Sequence, residues 1–177
     1  MSDITIRPAT AADIPAITAI YAFEVREKTA SFEMTPPDEA EMMRRFTAIT
    51  GGDFPYLVAE TGGRIAGYAY AGPYRPRPAY RYTVENSVYL DPAFYRRGIG
   101  SALLRELIAQ CATRGYRQMI AVIGDSANAA SIGLHQSAGF AMIGTHPDVG
   151  FKFGRWLDSV QMQLALGDGG TTPPPSA

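Results

Sequence analysis

The segment Arg96–Ser101 places two glycines between a predicted strand and a predicted helix, an arrangement that can bind a phosphorylated ligand. Gly98 and Gly100 let backbone N–H groups approach an anion and point at it. The start of the helix adds a partial positive charge, and Arg96 and Arg97 can neutralise further negative charge. Taken alone, the pattern fits a pyrophosphate-binding turn and also a merely tight connection between two elements.

Two other phosphate-binding motifs fit the same segment poorly. A dinucleotide-binding fingerprint needs a third glycine, and Leu103 stands where that glycine would be. A P-loop needs Gly-Lys followed by Ser or Thr, a string that the chain does not contain.

Glu85 is the carboxylate that we consider as a general base. It lies inside a predicted strand, on the same face as Ser87 and Tyr89. A carboxylate serves as a base near neutral pH only when its pKa is raised, and desolvation at a half-buried strand position would raise it. The alternative is an exposed strand residue, or one paired with Arg81.

The chain has two histidines and one cysteine, and their spacing predicts no metal site. Cys111 falls on the apolar face of a predicted helix, where we expect it to be buried and inert. His135 lies in another predicted helix, where a lone histidine is either structural or a proton donor. His146 has no motif around it and is interpreted as a loop or strand-end residue.

Periodicity and turn residues predict the elements that position these groups. The strands are expected at 4–8, 56–60, 64–71, 82–90, 118–123, 140–145 and 156–166. The helices are expected at 11–23, from Pro36 to Gly51, at 98–114 and at 128–137. This order predicts an α/β fold, a single domain over residues 1–166 with a mixed twisted sheet flanked by helices. Residues 167–177 are rich in Gly, Thr and Pro, which predicts a disordered tail.

Composition sets limits on function. The 177 residues carry a net charge of −1, and 46% of them are hydrophobic, which is typical of one globular domain. The chain has no basic excess, so we expect no nucleic-acid partner. It has no signal peptide and no apolar run long enough to cross a bilayer, so we expect no membrane association and a cytoplasmic location.

Two segments resemble the cofactor signatures of the GCN5-related N-acetyltransferase superfamily. The run Ser87–Pro92, followed by Arg97–Gly100 and a leucine-rich helix, is similar to the first signature. The run Asn128–Phe140 is similar to the second. One position departs from the family pattern, because Tyr95 stands where the family usually has Gln or Arg.

The resemblance implies that acetyl-CoA binds in a splayed pair of central strands. The strand backbone that pairs with the pantetheine arm would be that of Val88, Tyr89 and Leu90. The turn that holds the pyrophosphate would be Arg96, Arg97, Gly98, Ile99, Gly100 and Ser101. From the second segment, Asn128 would contact the cofactor near the thioester, with Ser131 beside it.

Five shorter strings are similar to the phosphinothricin and methionine sulfoximine N-acetyltransferases, which acetylate the α-amine of small glutamate-like amino acids. These strings are Thr29–Phe32, Ala69–Pro73, Tyr82–Tyr89, Ala121–Gly124 and Gly150–Lys152. The resemblance implies direct transfer from the thioester to the amine without an acyl-enzyme. It also implies that Glu85 is the base and that His135 protonates the coenzyme A thiolate. Many members of the family are dimers, so a homodimer is expected.

The loop before the long strand carries the candidate substrate ligands. Arg75 and Arg77 lie on a segment stiffened by prolines, and the planar fork of arginine suits carboxylate and phosphinate oxygens. Without the resemblance, solvated loop arginines would be the preferred interpretation. Aromatic side chains that could form the wall of the pocket are Phe32, Tyr74, Tyr80 and Tyr82.

Two other functions stay open at this point. One is an acetyltransferase of the same fold that acts on another amine, such as a polyamine, an antibiotic or a protein N-terminus. The other is an acetyl-CoA-binding sensor without turnover, against which the presence of Glu85 and His135 argues mildly.

Overall fold

A computed structural model describes residues 4–174, which form one seven-stranded mixed sheet with helices on both faces. The strands are β1 (Thr5–Pro8), β2 (Tyr56–Thr61), β3 (Arg64–Pro73), β4 (Thr83–Leu90), β5 (Gln118–Gly124), β6 (Ala141–Lys152) and β7 (Arg155–Ala165). The helices are α1 (Ile14–Glu27), α2 (Glu39–Gly51), α3 (Ile99–Thr113) and α4 (Ala129–Ser137). The strand order is β1-β2-β3-β4-β5-β7-β6, and this architecture confirms the predicted fold class.

The predicted elements are all present, but some of their ends differ. Helix α2 begins at Glu39 and not at Pro36, because the Asp38 side chain caps it by accepting a hydrogen bond from the Glu41 N–H at 2.8 Å. Strand β6 continues to Lys152, well past the predicted end at residue 145. Irregularities in the β6–β7 pairing, one of them between His146 and Gly150, let the strand continue through residues that usually end one.

The central strands β4 and β5 run parallel and then separate. Four residues of β4, Thr83 to Asn86, pair with Gln118 to Ala121 of β5. Beyond that point β4 stays paired with β3 as far as Leu90, whereas β5 stays paired with β7 as far as Gly124. The sheet therefore opens into a wedge between β4 and β5.

Alternation along β4 assigns its side chains to two different cores. Val84 packs on the face covered by α3, with Leu103 and Leu107. Tyr89 packs on the opposite face, in the core formed with α1 and α2. Because successive strand residues point to opposite faces, Glu85 shares the α1 and α2 face with Tyr89.

Cys111 is fully buried on the apolar face of α3, as predicted. Burial raises the pKa of its thiol to about 12, so the thiol stays protonated at neutral pH. Across residues 4–174, the helices are all too short or too polar to cross a bilayer.

The segment after residue 166 makes contacts with the strand β5 region. Arg117 donates to the Thr172 hydroxyl at 2.7 Å and pairs with Asp168 at 3.4 Å. Residues 175–177 of the predicted disordered tail lie outside the described part, and disorder over 167–177 stays a prediction. The domain boundary at residue 166 stays a prediction.

Candidate active site

A cleft of about 860 Å³ opens where β4 and β5 separate. Its walls come from the end of α1 and the loop that follows, the end of β4, the turn before α3, and the start of α4. The predicted cofactor residues that line it are Val88, Tyr89, Leu90, Arg96, Gly98, Ile99, Gly100, Ser101, Asn128 and Ser131. Arg97 is the exception, because its guanidinium lies over the Phe94 ring, 5.3 Å from the centroid.

The turn before α3 presents backbone donors to this cleft. Gly98 adopts a left-handed conformation with φ of 79°, which glycine tolerates without steric cost. The Gly98 carbonyl accepts the first helical hydrogen bond, from the Ala102 N–H at 3.0 Å. The N–H groups of the first helical turn have no intrahelical acceptor and carry the positive end of the helix dipole. The turn therefore suits a pyrophosphate.

The end of β4 offers a second kind of contact. Val88, Tyr89 and Leu90 are paired with β3 on one side, while β5 has diverged on the other side. An exposed strand edge can pair with an extended amide-bearing chain. The pantetheine arm of acetyl-CoA carries amides of this kind, so the edge fits that part of the molecule.

Asn128 begins the helix on the opposite wall. Its Oδ1 accepts a hydrogen bond from the Ser131 N–H at 3.2 Å, which caps α4. Both residues line the cleft, so the cap also fixes the wall of the cleft at this point.

Asp125 connects three segments around the cleft and was not predicted from the sequence. Its carboxylate accepts hydrogen bonds from Arg155 and from the Ala127 N–H at 3.0 Å, and the Thr29 side chain lies nearby. The hydrogen bond from Arg155 is the main reason that the pKa of this carboxyl is lowered. The residue is 5% exposed and has a positive φ of 73°, a conformation in which Asp is enriched.

Tyr95, the departure from the family pattern, has a partner on α1. Its hydroxyl donates to Glu24 Oε1 at 3.1 Å, and both residues line the cleft. Burial raises the pKa of Glu24. Sequence reasoning missed Glu24, because its partner lies 71 residues away along the chain.

Glu85 lies in the paired part of β4, just before the strands separate. Burial raises the pKa of its carboxyl, the direction that a general base requires near neutral pH. Two residues on, Ser87 lies opposite Tyr70 of β3, and Tyr89 follows on the same face of β4. Glu85 thus borders a group of hydroxyls on the α1 and α2 face.

His135 does not line the cleft. Its Nε2 lies 2.9 Å from Asn86 Oδ1 and its Nδ1 lies 2.8 Å from the Ser131 carbonyl oxygen. Asn86 in turn donates through Nδ2 to the Ile120 carbonyl at 3.1 Å. Burial lowers the pKa of His135. The ring therefore joins α4 to β4 and β5 at the point where the strands begin to separate.

Among the predicted substrate residues, Phe32 lies at the end of β5. Added Cβ atoms at Gly124 and Gly150 would lie 2.8 Å and 2.5 Å from its ring, so the ring packs directly on both backbones. A separate cation–π cluster on the β3–β4 loop consists of Tyr74, Arg75 and Tyr80. The Arg75 guanidinium carbon lies 4.9 Å and 5.7 Å from the two ring centroids. Arg77 is exposed on the same loop.

Tyr82 lies apart from this group, and its place in the pocket wall stays a prediction. It lines a different cavity, of about 480 Å³, together with Arg117 and residues 169–174. The reason is the period of two along the strand, which turns residue 82 to the opposite face from Glu85.

No set of three or more His, Cys, Asp or Glu side chains in the described part of the chain is arranged to hold a metal ion.

Comparison with known proteins agrees with this geometry. Residues 6–161 match the acetyltransferase (GNAT) domain family. The phosphinothricin N-acetyltransferase of Alcaligenes faecalis is 53% identical over 96% of this chain and 86% of its own length. The L-methionine sulfoximine/L-methionine sulfone acetyltransferase of Pseudomonas paraeruginosa is 44% identical over 92% of this chain and 94% of its own length.

A solved structure is similar over the whole chain. It is a GNAT superfamily phosphinothricin acetyltransferase (Pat) from Sinorhizobium meliloti in complex with AcCoA, with a TM-score of 0.96 and 49% identity. The match covers 100% of this chain and 95% of that one. The family match and these relatives show that the chain belongs to the GNAT acetyltransferase family and is an N-acetyltransferase that uses acetyl-CoA.

Proposed function

We propose that this enzyme acetylates the α-amine of a small glutamate-like amino acid, of the phosphinothricin, methionine sulfoximine or methionine sulfone type. The observation that carries the proposal is the wedge between β4 and β5, which has the phosphate-binding turn at one end and Glu85 at the other. The names of the relatives support the substrate class.

The residues of the chain have separate tasks in the transfer. The α3 turn and the free edge of β4 hold acetyl-CoA, so that its thioester lies between the separated strands. Glu85 takes a proton from the substrate ammonium, directly or through a water. The amine nitrogen then forms a bond to the acetyl carbon and loses its second proton to solvent, the carbon–sulfur bond breaks, and coenzyme A leaves as a thiolate.

Arg75 and Arg77 are the proposed ligands for the carboxylate and the side-chain oxyanion of the substrate. Their loop begins next to the start of β4, since the Tyr74 N–H donates to the Thr83 carbonyl at 3.4 Å. The two guanidinium groups therefore belong to the loop that leads into the strand carrying Glu85, and bidentate pairing with a substrate carboxylate there would be favourable. Phe32 would cover the apolar part of the substrate.

We propose a positioning role for His135 in place of direct proton donation. Both of its ring nitrogens face protein oxygens, and only 4% of the residue is exposed. A ring in this position fixes Asn86, and through it the last paired residues before the wedge.

His135→Phe should separate the two roles. The substitution removes the polar ring contacts with Asn86 and the Ser131 carbonyl from a buried position, so the free energy of unfolding should fall by about 1–3 kcal/mol. Acetyl transfer at a temperature well below Tm should fall less than about tenfold, because proton transfer does not pass through the ring. Chemical denaturation and steady-state rates measure both effects. A loss of kcat of about 100-fold or more with unchanged stability would instead support proton donation.

A homodimer and a cytoplasmic location are further parts of the proposal. Strands β6 and β7, at one edge of the sheet, carry large apolar side chains that are more than 45% exposed, namely Met142, Ile143, Val149, Phe151 and Trp156. A second copy of the chain would cover such a patch. Sedimentation of the wild type and of Trp156→Glu tests this, and equal monomer masses for both would contradict it.

The experiment that tests the function is a substrate panel. Release of coenzyme A from acetyl-CoA is followed with phosphinothricin, methionine sulfoximine, methionine sulfone, the standard amino acids, a polyamine and an N-terminal peptide. Turnover confined to the glutamate-like compounds supports the proposal. Turnover only on the polyamine or the peptide would contradict the substrate class, and tight acetyl-CoA binding without any turnover would favour a sensor.

A further inference from the structure

Lys152, at the end of β6, is a buried cation with no part in the transfer described above. It is 3% exposed. Its Nζ donates to the carbonyl oxygen of Lys28 at 2.9 Å and to that of Ser31 at 2.7 Å. Burying an ammonium group is costly unless hydrogen bonds and charges compensate for the lost water. Both carbonyls belong to the α1–α2 loop, which we define as residues 28–38.

The same loop is tied to the sheet at two further points. The Thr29 side chain lies near the Asp125 carboxylate and contributes to its lowered pKa. The Phe32 ring packs on the backbones of Gly124 and Gly150, as described above. The contacts of Lys152, Asp125 and Phe32 thus hold residues 28–32 against the end of β5 and the β6–β7 hairpin.

This loop forms a wall of the site, because Lys28, Thr29 and Ala30 line the cleft between β4 and β5. The cofactor contacts proposed above come from β4, from the α3 turn and from the start of α4. Phe32, in contrast, is proposed to cover the amine substrate. A shift of the loop should therefore affect binding of the amine substrate more than binding of acetyl-CoA.

Burial lowers the pKa of the Lys152 ammonium, and two nearby carboxylates act in the opposite direction. They belong to Glu24 on α1 and Glu33 on the α1–α2 loop. Glu33 is itself fixed by Arg45 of α2, at 2.6 Å. The cation is thus surrounded by loop carbonyls and by acidic groups from two directions.

We propose that Lys152 is a positioning residue for acetyl transfer, whose ammonium locks the α1–α2 loop in the place that the amine substrate requires. The inference rests on the proposed function of the cleft. It gives the Gly150–Lys152 string a physical role, namely to seat the Phe32 ring and to anchor the loop behind it.

Lys152→Met tests the lock, because it keeps an unbranched side chain of similar length and removes the charge and the donors. We expect kcat/KM for the amine to fall about 100-fold, as for a misplacement of about 1 Å, mostly through a higher KM. The KM for acetyl-CoA should change less than about twofold. Phosphinothricin or methionine sulfone serves as the amine, whichever the wild type acetylates faster. Arg44→Met is the matched control, since it removes an exposed, ion-paired cation on α2 and should leave both KM values unchanged.

Limited trypsin digestion gives a readout that does not depend on turnover. Trypsin cleaves after Lys28, whose carbonyl is one of the two that Lys152 holds. Without the lock, cleavage of the Lys28–Thr29 bond should be about tenfold faster, because opening of the loop costs less free energy. Cleavage after Arg105, in the middle of α3, should keep its wild-type rate. Equal acceleration at both sites would indicate that the whole fold opens more easily. That result would contradict the proposal that Lys152 holds the α1–α2 loop in place.

The outcomes separate this inference from the proposed function. A wild type without turnover on any amine would overturn the proposed function. The cleavage rates alone would then test whether Lys152 holds the α1–α2 loop in place. Faster cleavage after Lys28 with an unchanged amine KM would overturn the positioning role. If the Met variant does not fold, Lys152→Leu replaces it, since it also removes the charge and the donors. A Leu variant with wild-type amine KM and wild-type cleavage would overturn the inference.

Discussion

Glu85→Gln is expected to lower kcat by about 10²–10⁴-fold, the usual range for removing a general base. The glutamine side chain has nearly the same size and cannot accept the proton of the substrate ammonium. Affinity for acetyl-CoA should stay within about twofold of the wild type, because the proposed cofactor contacts lie beyond the paired part of β4. Steady-state rates and calorimetric titration with acetyl-CoA measure the two quantities.

The pH dependence gives a second signature of the same residue. Only the ionised carboxylate can act as a base, and burial raises the pKa of Glu85 above the usual carboxyl range. Wild-type kcat/KM should therefore fall as the pH drops through this raised pKa, and the Gln variant should lack that limb. Glu106→Gln, on the exposed side of α3, is the control and should keep the wild-type profile. An acid limb that survives in Glu85→Gln would assign the base to another group.

Gly124→Ala is expected to have the second largest effect. A Cβ at this position would lie 2.2 Å from the Thr29 carbonyl oxygen and 2.8 Å from the Phe32 ring. The first of these contacts involves backbone, so a side-chain rotation cannot relieve it. The α1–α2 loop must move, and kcat/KM for the amine should fall about 100-fold. Overpacking should also reduce the free energy of unfolding by about 1–3 kcal/mol.

Gly51→Ala is the control for this substitution. Gly51 ends α2, and an added Cβ there would meet no atom within 4 Å. It should leave activity unchanged and be neutral or slightly stabilising, by up to about 1 kcal/mol. Wild-type amine kinetics in Gly124→Ala would show that the loop tolerates the displacement, and would remove Phe32 and its neighbours from the proposed substrate site.

The sequence predicts those parts of the site that depend on local structure. The turn at Gly98 requires a left-handed residue between a strand and a helix, and the Asn128 cap acts within three residues. Both features can therefore be recognised in a short stretch of sequence. The element order likewise predicts the sheet, since each helix and strand shows its own periodicity.

The contacts that lock the site together were not predictable in this way. Lys152 meets its acceptors across 121 and 124 residues of chain, and the Tyr95 hydroxyl meets Glu24 across 71 residues. Their significance appears only after the sheet brings distant segments together.

The separation of β4 from β5 has a consequence for stability as well as for binding. The β4–β5 ladder consists of four residue pairs. It joins the two parts of the sheet, β1–β4 and β5–β7. A cofactor seated in the wedge bridges both parts and binds only the folded chain. Each tenfold excess of acetyl-CoA over its Kd should then add about 1.4 kcal/mol of stability. Amide hydrogens of residues 88–90 should also exchange more slowly with deuterium, by about the same tenfold factor. Their exchange rate would then depend on the concentration of acetyl-CoA.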